Sequence, residues 1–325
     1  MQAFEYANPT SLQEALGLLA TQWGQADVLA GGTDQISLMK EYLHTPKRVV
    51  NIKNIKELEG IQKTGEGLRI GALVTMDELA KNADVKTGYK SLVDAADGIP
   101  SPQIRHMGTV GGDLCQRPRC WYYRQGFGLL GMKDGKSLVP DGENKYHAIF
   151  GGGPAYFVSA SSLGPALVAL GAKVKLVSAK GSREVPVKAF FVTPKEDNTR
   201  ETALRPNEIL TEIIVPAAAP HNATYEVRQK EALDWPLVAA AVALTMKGTV
   251  VASAKVVLGH VAPTPWESAA AGRLLVGKTI TAATAEAAGK AAVEGAQPLS
   301  QNAYKVQLAK VAVKRALLEA AKVKA

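Results

Sequence analysis

Cysteine is almost missing from this chain of 325 residues: Cys115 and Cys120 are the only two. Two thiols cannot complete a four-thiolate iron–sulfur cluster or a typical structural zinc site. The five histidines, at 44, 106, 147, 221 and 260, show no ligand spacing, so no metal site is expected. No apolar run approaches the roughly 18 residues of a membrane span. The first residues lack a basic segment followed by an apolar one, which predicts a cytoplasmic chain, or a periplasmic one if a folded partner carries the export signal. No internal repeat stands out. The formal charge of +8 comes without a zinc finger, RNP-type motif or arginine-rich tract, which argues against nucleic acid. The basic residues Lys305, Lys310, Lys314, Arg315, Lys322 and Lys324 read as the solvated face of a last helix. Equally, an anionic ligand or an acidic partner surface accounts for the charge.

What the chain does have is glycine in a pattern. Leu29, Ala30, Gly31, Gly32, Thr33, Asp34, Gln35 and Ile36 form one glycine-rich turn; Thr109, Val110, Gly111, Gly112 and Asp113 form another, about eighty residues on. Glycine lets the backbone approach a ligand closely, so successive N–H groups converge on an anion. Two such turns suggest a nucleotide pyrophosphate held between two parts of the chain. The same residues also read as tight structural turns, and Asp34 and Asp113 as helix N-caps.

Around these turns the pattern is mixed α and β. Ser11 caps a helix over 12–23 with Glu14 completing a capping box, and 27–30 is a buried strand running into the first turn. Residues 35–41 read as a helix whose N-terminus points at that turn. Strand 48–52 follows, then a hairpin over 61–70, a helix over 76–82 capped by Thr75, and a second over 90–96. The stretch 98–102 breaks that helix. From 115 to 153 no period holds; the segment is rich in arginine, glycine and aromatics, and its irregularity points to a partner-facing loop, with Arg117, Arg119 and Arg124 as its charges. Trp121, Tyr122 and Tyr123 either stack on a ligand, line a partner surface or pack beneath the loop. A helix at 161–170, strands at 172–177 and 204–216, and a linker at 217–222 complete the larger part. Beyond it come strands 224–230 and 250–260, an apolar segment 235–245, and helices near 280–294 and 303–323, with Tyr304, Leu308, Val311 and Leu318 on one face.

Together with the segments Leu204-Arg-Pro-Asn-Glu-Ile-Leu, Tyr146-His-Ala-Ile-Phe150 and Asp234-Trp-Pro-Leu-Val238, the two turns make the chain resemble the FAD-binding subunit of the xanthine dehydrogenase family of molybdenum hydroxylases. Aldehyde dehydrogenase FAD subunits and carbon monoxide dehydrogenase medium chains belong to the same group. The resemblance covers essentially the whole chain. It implies an α+β fold: a PCMH-type FAD-binding domain of two subdomains, 1–60 and 61–216, then a smaller α/β C-terminal domain, 222–325. FAD is the implied cofactor. Residues 29–36 would wrap its pyrophosphate, 109–113 would form the second phosphate-side turn, and Ile99, Leu210, Ser162 and Lys230 would add further contacts.

Two departures follow from the resemblance. Many relatives have aspartate where Ser162 stands. Some carry a [4Fe–4S] cluster after the second turn; Cys120 matches one of its motifs, but Ala155 stands where those relatives have cysteine, so the cluster is not expected. The implied role is electron transfer: from a molybdenum-cofactor large subunit through a [2Fe–2S] small subunit to FAD, then to an external acceptor, within a heterotrimer or a dimer of heterotrimers. No catalytic side chain is assigned, the Lys145-Tyr-His147 segment included, because the cofactor carries the chemistry. Competing readings are a self-contained FAD oxidoreductase and a flavin-free structural subunit.

Overall fold

Glycine and short β-branched runs divide the chain into three main sheets. The computed structural model describes residues 1–196, 199–217, 221–230 and 234–323. The first sheet is parallel, with β1 (Glu5–Ala7) and β2 (Ala26–Leu29) on either side of β3 (Arg48–Asn51). Its crossover helix, Leu12–Gly17, is capped by the Ser11 hydroxyl, which accepts from the Glu14 N–H. That helix stops well short of Trp23, at Gly17, a residue that costs about 1 kcal/mol in a helix interior.

The second sheet is antiparallel. The hairpin β4 (Ile61–Thr64) and β5 (Gly67–Gly71) continues into β10 (Ile209–Pro216), β8 (Lys173–Ser178) and β9 (Gly181–Pro186), in the order β4-β5-β10-β8-β9. Helices Met76–Lys81, Lys90–Asp97 and Leu163–Leu170 share a core with it, built on Leu79, Leu92, Leu163, Ile213 and Val215. Thr75 caps Met76–Lys81 as expected, and Glu78 completes a capping box with it. Residues 98–102 do not simply break a helix. Ser101 accepts from the Ile104 N–H and Pro102 opens a further helix, Pro102–Met107, the first-turn position where proline's missing N–H costs nothing.

The segment 115–153 is irregular apart from a helical turn, Trp121–Arg124, and a two-residue ribbon of β6 (Met132–Lys133) and β7 (Lys136–Ser137).

The third sheet, again antiparallel, runs β11 (His221–Val227), β12 (Val238–Lys247), β13 (Val250–Gly259) and β14 (Trp266–Glu267). Of the expected linker, 218–220 lie outside the described residues, and His221 and Asn222 already belong to β11. Helices Ala269–Leu275, Ala282–Ala292 and Tyr304–Ala320 complete this unit's core. Ala240 on β12 and the alanines of the three helices are buried there among Val242, Leu244, Val256, Leu258 and Leu317.

The last helix corrects the sequence reading. Its buried residues are Lys305, Ala309, Ala312, Val313, Ala316, Leu317, Leu318 and Ala320; of the expected face Leu318 is buried, whereas Tyr304, Leu308 and Val311 are only half-buried. Lys305 is not on a solvated face: it is 1% exposed, and its ammonium donates to the carbonyls of Tyr146 (2.9 Å), His147 (3.2 Å) and His260 (2.9 Å). Three donors meeting three carbonyls compensate the loss of water around a long polar side chain. Lys324 lies outside the described residues.

Lys305→Met keeps the bulk and removes all three donors, leaving buried carbonyls unpaired. Stability is expected to fall by about 3 kcal/mol, read as a lower urea midpoint with an unchanged denaturant slope.

Candidate functional site

The first glycine turn lies where β2 ends, between the parallel sheet and a short helix, Gln35–Lys40. Gly32 adopts φ +75°, and Ile36 N–H closes the turn by donating to the Gly32 carbonyl at 3.1 Å. The N–H groups of Gly31, Gly32, Thr33, Asp34 and Gln35 make no hydrogen bond within the described residues. Five consecutive amides without a partner carry partial positive charge, and such groups bind phosphate oxygens.

Gly31 also fixes where the second segment sits. A Cβ on Gly31 would lie 1.8 Å from the Met107 carbonyl oxygen, so the two segments meet backbone to backbone and only glycine fits. The helix Pro102–Met107 delivers that carbonyl.

The second segment behaves differently from the first. It opens a helix, Val110–Cys115, with Thr109 as N-cap accepting from the Gly112 N–H at 3.1 Å. The N–H groups of Val110, Gly111 and Asp113 donate to the carbonyls of Val74, Ala72 and Thr109. The expected second set of free amides is therefore already paired: carbonyls of the 72–74 segment take those of Val110 and Gly111, and the N-cap Thr109 takes those of Gly112 and Asp113. Gly111 serves close packing instead, its missing Cβ leaving room for Ala72.

Both segments line one cleft of about 460 Å³. Of the residues expected from the sequence, Ala30, Gly31, Gly32, Thr33, Asp34, Gln35, Ile99, Thr109, Gly111, Gly112, Asp113, Ser162 and Leu210 line it. Four do not. Leu29 packs beneath Gly32, Ile36 points outward and is 43% exposed, and Val110 is buried in the core. Lys230 is exposed and does not line the cleft itself; its N–H donates to the carboxylate of Asp234, which does.

The two aspartates have separate jobs. Asp113 is buried and caps the helix Leu163–Leu170 from a distance, accepting from Ser161 Oγ (2.5 Å), Ser162 N (3.2 Å) and Leu163 N (3.0 Å). Burial raises its carboxyl above the ordinary carboxylate range, against those hydrogen bonds. Asp34 is held by the next segment: Arg119 at 2.8 Å, Arg124 at 2.9 Å and the Arg117 N–H at 2.8 Å. Arg117 itself pairs with Glu201 and lies 2.6 Å from His44 Nε2. The arginines expected to face a partner are thus turned inward, where a buried carboxylate needs counter-charge. Tyr123 packs beneath them and Tyr122 Oη accepts from the Glu143 N–H, so these two rings support the loop. Trp121 is 47% exposed.

Sequence reasoning missed Trp23, Arg119, Arg200, Ser101 and Trp235 as cleft residues. Arg119 stacks on Trp235 (4.5 Å) and Arg200 on Trp23 (4.0 Å). The Arg-Pro-Arg-Cys run carried the signal for Arg119. Nothing local marks Trp23 or Arg200, which arrive from distant parts of the chain. Among the described residues no group of three or more His, Cys, Asp or Glu is placed to hold a metal ion. Cys120 and Ala155 lie in one apolar cluster with Leu38, Tyr123, Leu129 and Phe157. Burial pushes the Cys115 thiol up to about 12. No helix among the described residues is long and apolar enough to cross a membrane.

Comparison with known proteins covers nearly the whole chain. Residues 2–218 match the model of the FAD binding domain in molybdopterin dehydrogenase, and 223–320 that of the CO dehydrogenase flavoprotein C-terminal domain. The carbon monoxide dehydrogenase medium chain of Hydrogenophaga pseudoflava is 31% identical over 97% of this chain and 96% of its own length. The aldehyde oxidoreductase FAD-binding subunit PaoB of Escherichia coli is 30% identical over 98% and 99%. Among solved structures, quinoline 2-oxidoreductase from Pseudomonas putida 86 superposes with a TM-score of 0.78 at 26% identity, covering 99% of this chain and 98% of that one.

Two buried histidines near the cleft give a pH test. Burial and the Lys305 charge lower His147 to about 4 and His260 to about 3. The folded state holds both neutral, while the unfolded chain binds protons near pH 6.5. Their contribution is therefore intact above pH 6.5 and is lost as pH falls toward 4 and 3, at about 1.4 kcal/mol per pH unit for each. Urea unfolding at roughly pH 6.5 and pH 5 checks this: His260→Gln should lose about 2 kcal/mol less than the unsubstituted protein over that interval.

Proposed function

This chain belongs to the FAD-binding subunits of the molybdopterin dehydrogenases, and from that premise we propose that it takes electrons from a [2Fe–2S] partner subunit and passes them to an external acceptor. It is the flavin subunit of an oxidoreductase of the carbon monoxide, aldehyde and xanthine dehydrogenase kind. The observation that carries the reading is the run of five unpaired amides, Gly31 to Gln35, facing a cleft large and apolar enough for a flavin nucleotide.

FAD, when bound, supplies a carrier that exchanges electrons singly or in pairs. The chain's residues hold and insulate it. The amides of Gly31 to Gln35 donate to the pyrophosphate, and the Thr33 hydroxyl adds a further donor. Thr109, whose oxygen already accepts from Gly112, keeps its own O–H free to donate. Ile99 and Leu210 provide apolar walls against a ring. Ser162 offers a hydroxyl without charge; the buried carboxylate beside it is Asp113, which accepts from the Ser162 N–H. A second carboxylate at 162 would repel Asp113, so the serine suits this arrangement.

As further parts of this reading, the chain assembles with a molybdenum-cofactor large subunit and a [2Fe–2S] small subunit, and 1–60, 61–216 and 222–325 act as separate structural units. A self-contained FAD oxidoreductase is disfavoured by the cleft's lining, where Asp34 and Asp113 are spent on arginines and helix N–H groups rather than poised for acid–base work.

The full chain, purified, should show the two absorption bands of oxidised flavin and release FAD on denaturation; a colourless protein that cannot be loaded with FAD overturns the proposal. Gly31→Ala forces a methyl into the Met107 carbonyl. It should lower FAD affinity at least tenfold, about 1.4 kcal/mol or more, measured by equilibrium titration of the apoprotein.

A further inference from the structure

Three arginines line the flavin cleft: Arg117, Arg119 and Arg200. Two of them are engaged. Arg117 pairs with Glu201 and donates to His44 Nε2, and Arg119 pairs with Asp34 and donates to Gln116. Arg200 makes no hydrogen bond and no ion pair with any described residue. It lies over the Trp23 ring, 4.0 Å from the centroid.

A guanidinium carries a planar fork of N–H donors, and contact with an indole ring satisfies none of them. Arg200 is half-buried, so water reaches only part of that fork. Burial, and then the like charge of Arg117, hold it below the ordinary arginine range. That range lies far above neutrality, so the side chain keeps its charge. A cation in this position is stabilised by any anion that enters the cleft.

The carboxylates nearby are committed to other partners. Glu201 is taken by Arg117. Asp27 accepts from Gln35 Nε2 at 2.9 Å and lies 3.6 Å from His44 Nδ1. Arg200 interacts electrostatically with Asp27, and Gln35, which holds Asp27, is the last residue of the unpaired amide run. The cation and the amides thus belong to the same part of the cleft. Amides supply only partial positive charge. A diphosphate brings full negative charge to a wall where Arg117 and Arg119 are already matched by carboxylates, and Arg200 has a full positive charge to meet it.

We propose that Arg200 is the charged anchor of the bound nucleotide, its guanidinium donating to the diphosphate that the amides of 31–35 hold, with Trp23 supporting it from behind. The assignment rests on the flavin reading for the identity of the nucleotide. It makes Arg200 a specificity residue: it favours flavins that carry a diphosphate and contributes nothing to those that lack one.

Full-length apoprotein is titrated calorimetrically with FAD, ADP and riboflavin. Arg200→Gln keeps a polar side chain and removes the charge. It should weaken FAD and ADP by about tenfold or more, the loss of a charge-assisted hydrogen bond, and leave riboflavin unchanged. Arg200→Lys should recover part of that loss, since the point charge survives without the planar fork. Added salt should weaken ADP binding more steeply in the unsubstituted protein than in Arg200→Gln. The thermal midpoint of each apoprotein separates a folding defect from a lost anchor. Equal FAD and ADP affinities in the unsubstituted and Arg200→Gln proteins overturn the anchor. Riboflavin weakened as much as FAD overturns it too, because that marks a general distortion of the cleft. Failure of the flavin reading appears separately, as protein that binds ADP through Arg200 but takes up neither FAD nor riboflavin.

Discussion

Asp34 sits at a carboxylate-to-arginine junction on which the rest of the cleft depends. It ends the first glycine turn, and its oxygens hold Arg119, Arg124 and the Arg117 N–H, all from a segment more than eighty residues away. A carboxylate that is 12% exposed must be paired, and charge-assisted hydrogen bonds are roughly twice as strong as neutral ones. The pairing draws the irregular segment 115–124 over the turn. Arg119, fixed this way, stacks on Trp235 and closes one wall of the cleft. The Gly31 contact with Met107 holds the other side at backbone distance.

This arrangement divides the labour between the two glycine segments. The first leaves its amides unpaired, an arrangement stable only because water or an anion satisfies them. The second has its amides paired, by the carbonyls of Ala72 and Val74 and by Thr109, and so acts as a firm abutment. A cofactor held this way meets one soft, electropositive edge and one firm wall. The buried polar groups around it follow the same logic. Glu226, raised to about 7 by burial, pairs with Arg228 just behind Gly98, where a side chain would push against the ends of both.

The three sheets are joined by polar seams as well as by apolar packing. Lys305, on the last helix, gathers carbonyls from 146–147 and from the end of β13. Asn302 does the same for His147 and Ala148. Such seams fix orientation, because a donor set of this kind has only one arrangement in which all its hydrogens are used. They place the C-terminal unit against the irregular segment that helps to wall the cleft.

Local chemistry wrote much of this structure openly. Thr75 with Glu78, the hairpin at Gly65 and Gly67, and the strand closed by Pro216 depend on neighbours within a few residues, so caps, turns and alternation expose them. Gly31 and Gly32 were legible for the same reason: a turn that must approach an anion has few residues to choose from. The helix over 102–107, the inward turn of Arg117, Arg119 and Arg124, and the burial of Lys305 were not. A proline reads as a break until its N-cap is known, and a basic residue reads as solvated until a carboxylate or a set of carbonyls reaches it. The sequence by itself determined the mixed α+β character, the positions of the two glycine-rich turns and the family to which the chain belongs. The tertiary structure alone decided which amides stay free, which charges are buried and which arginines line the cleft, because those properties belong to groups brought together from distant parts of the chain.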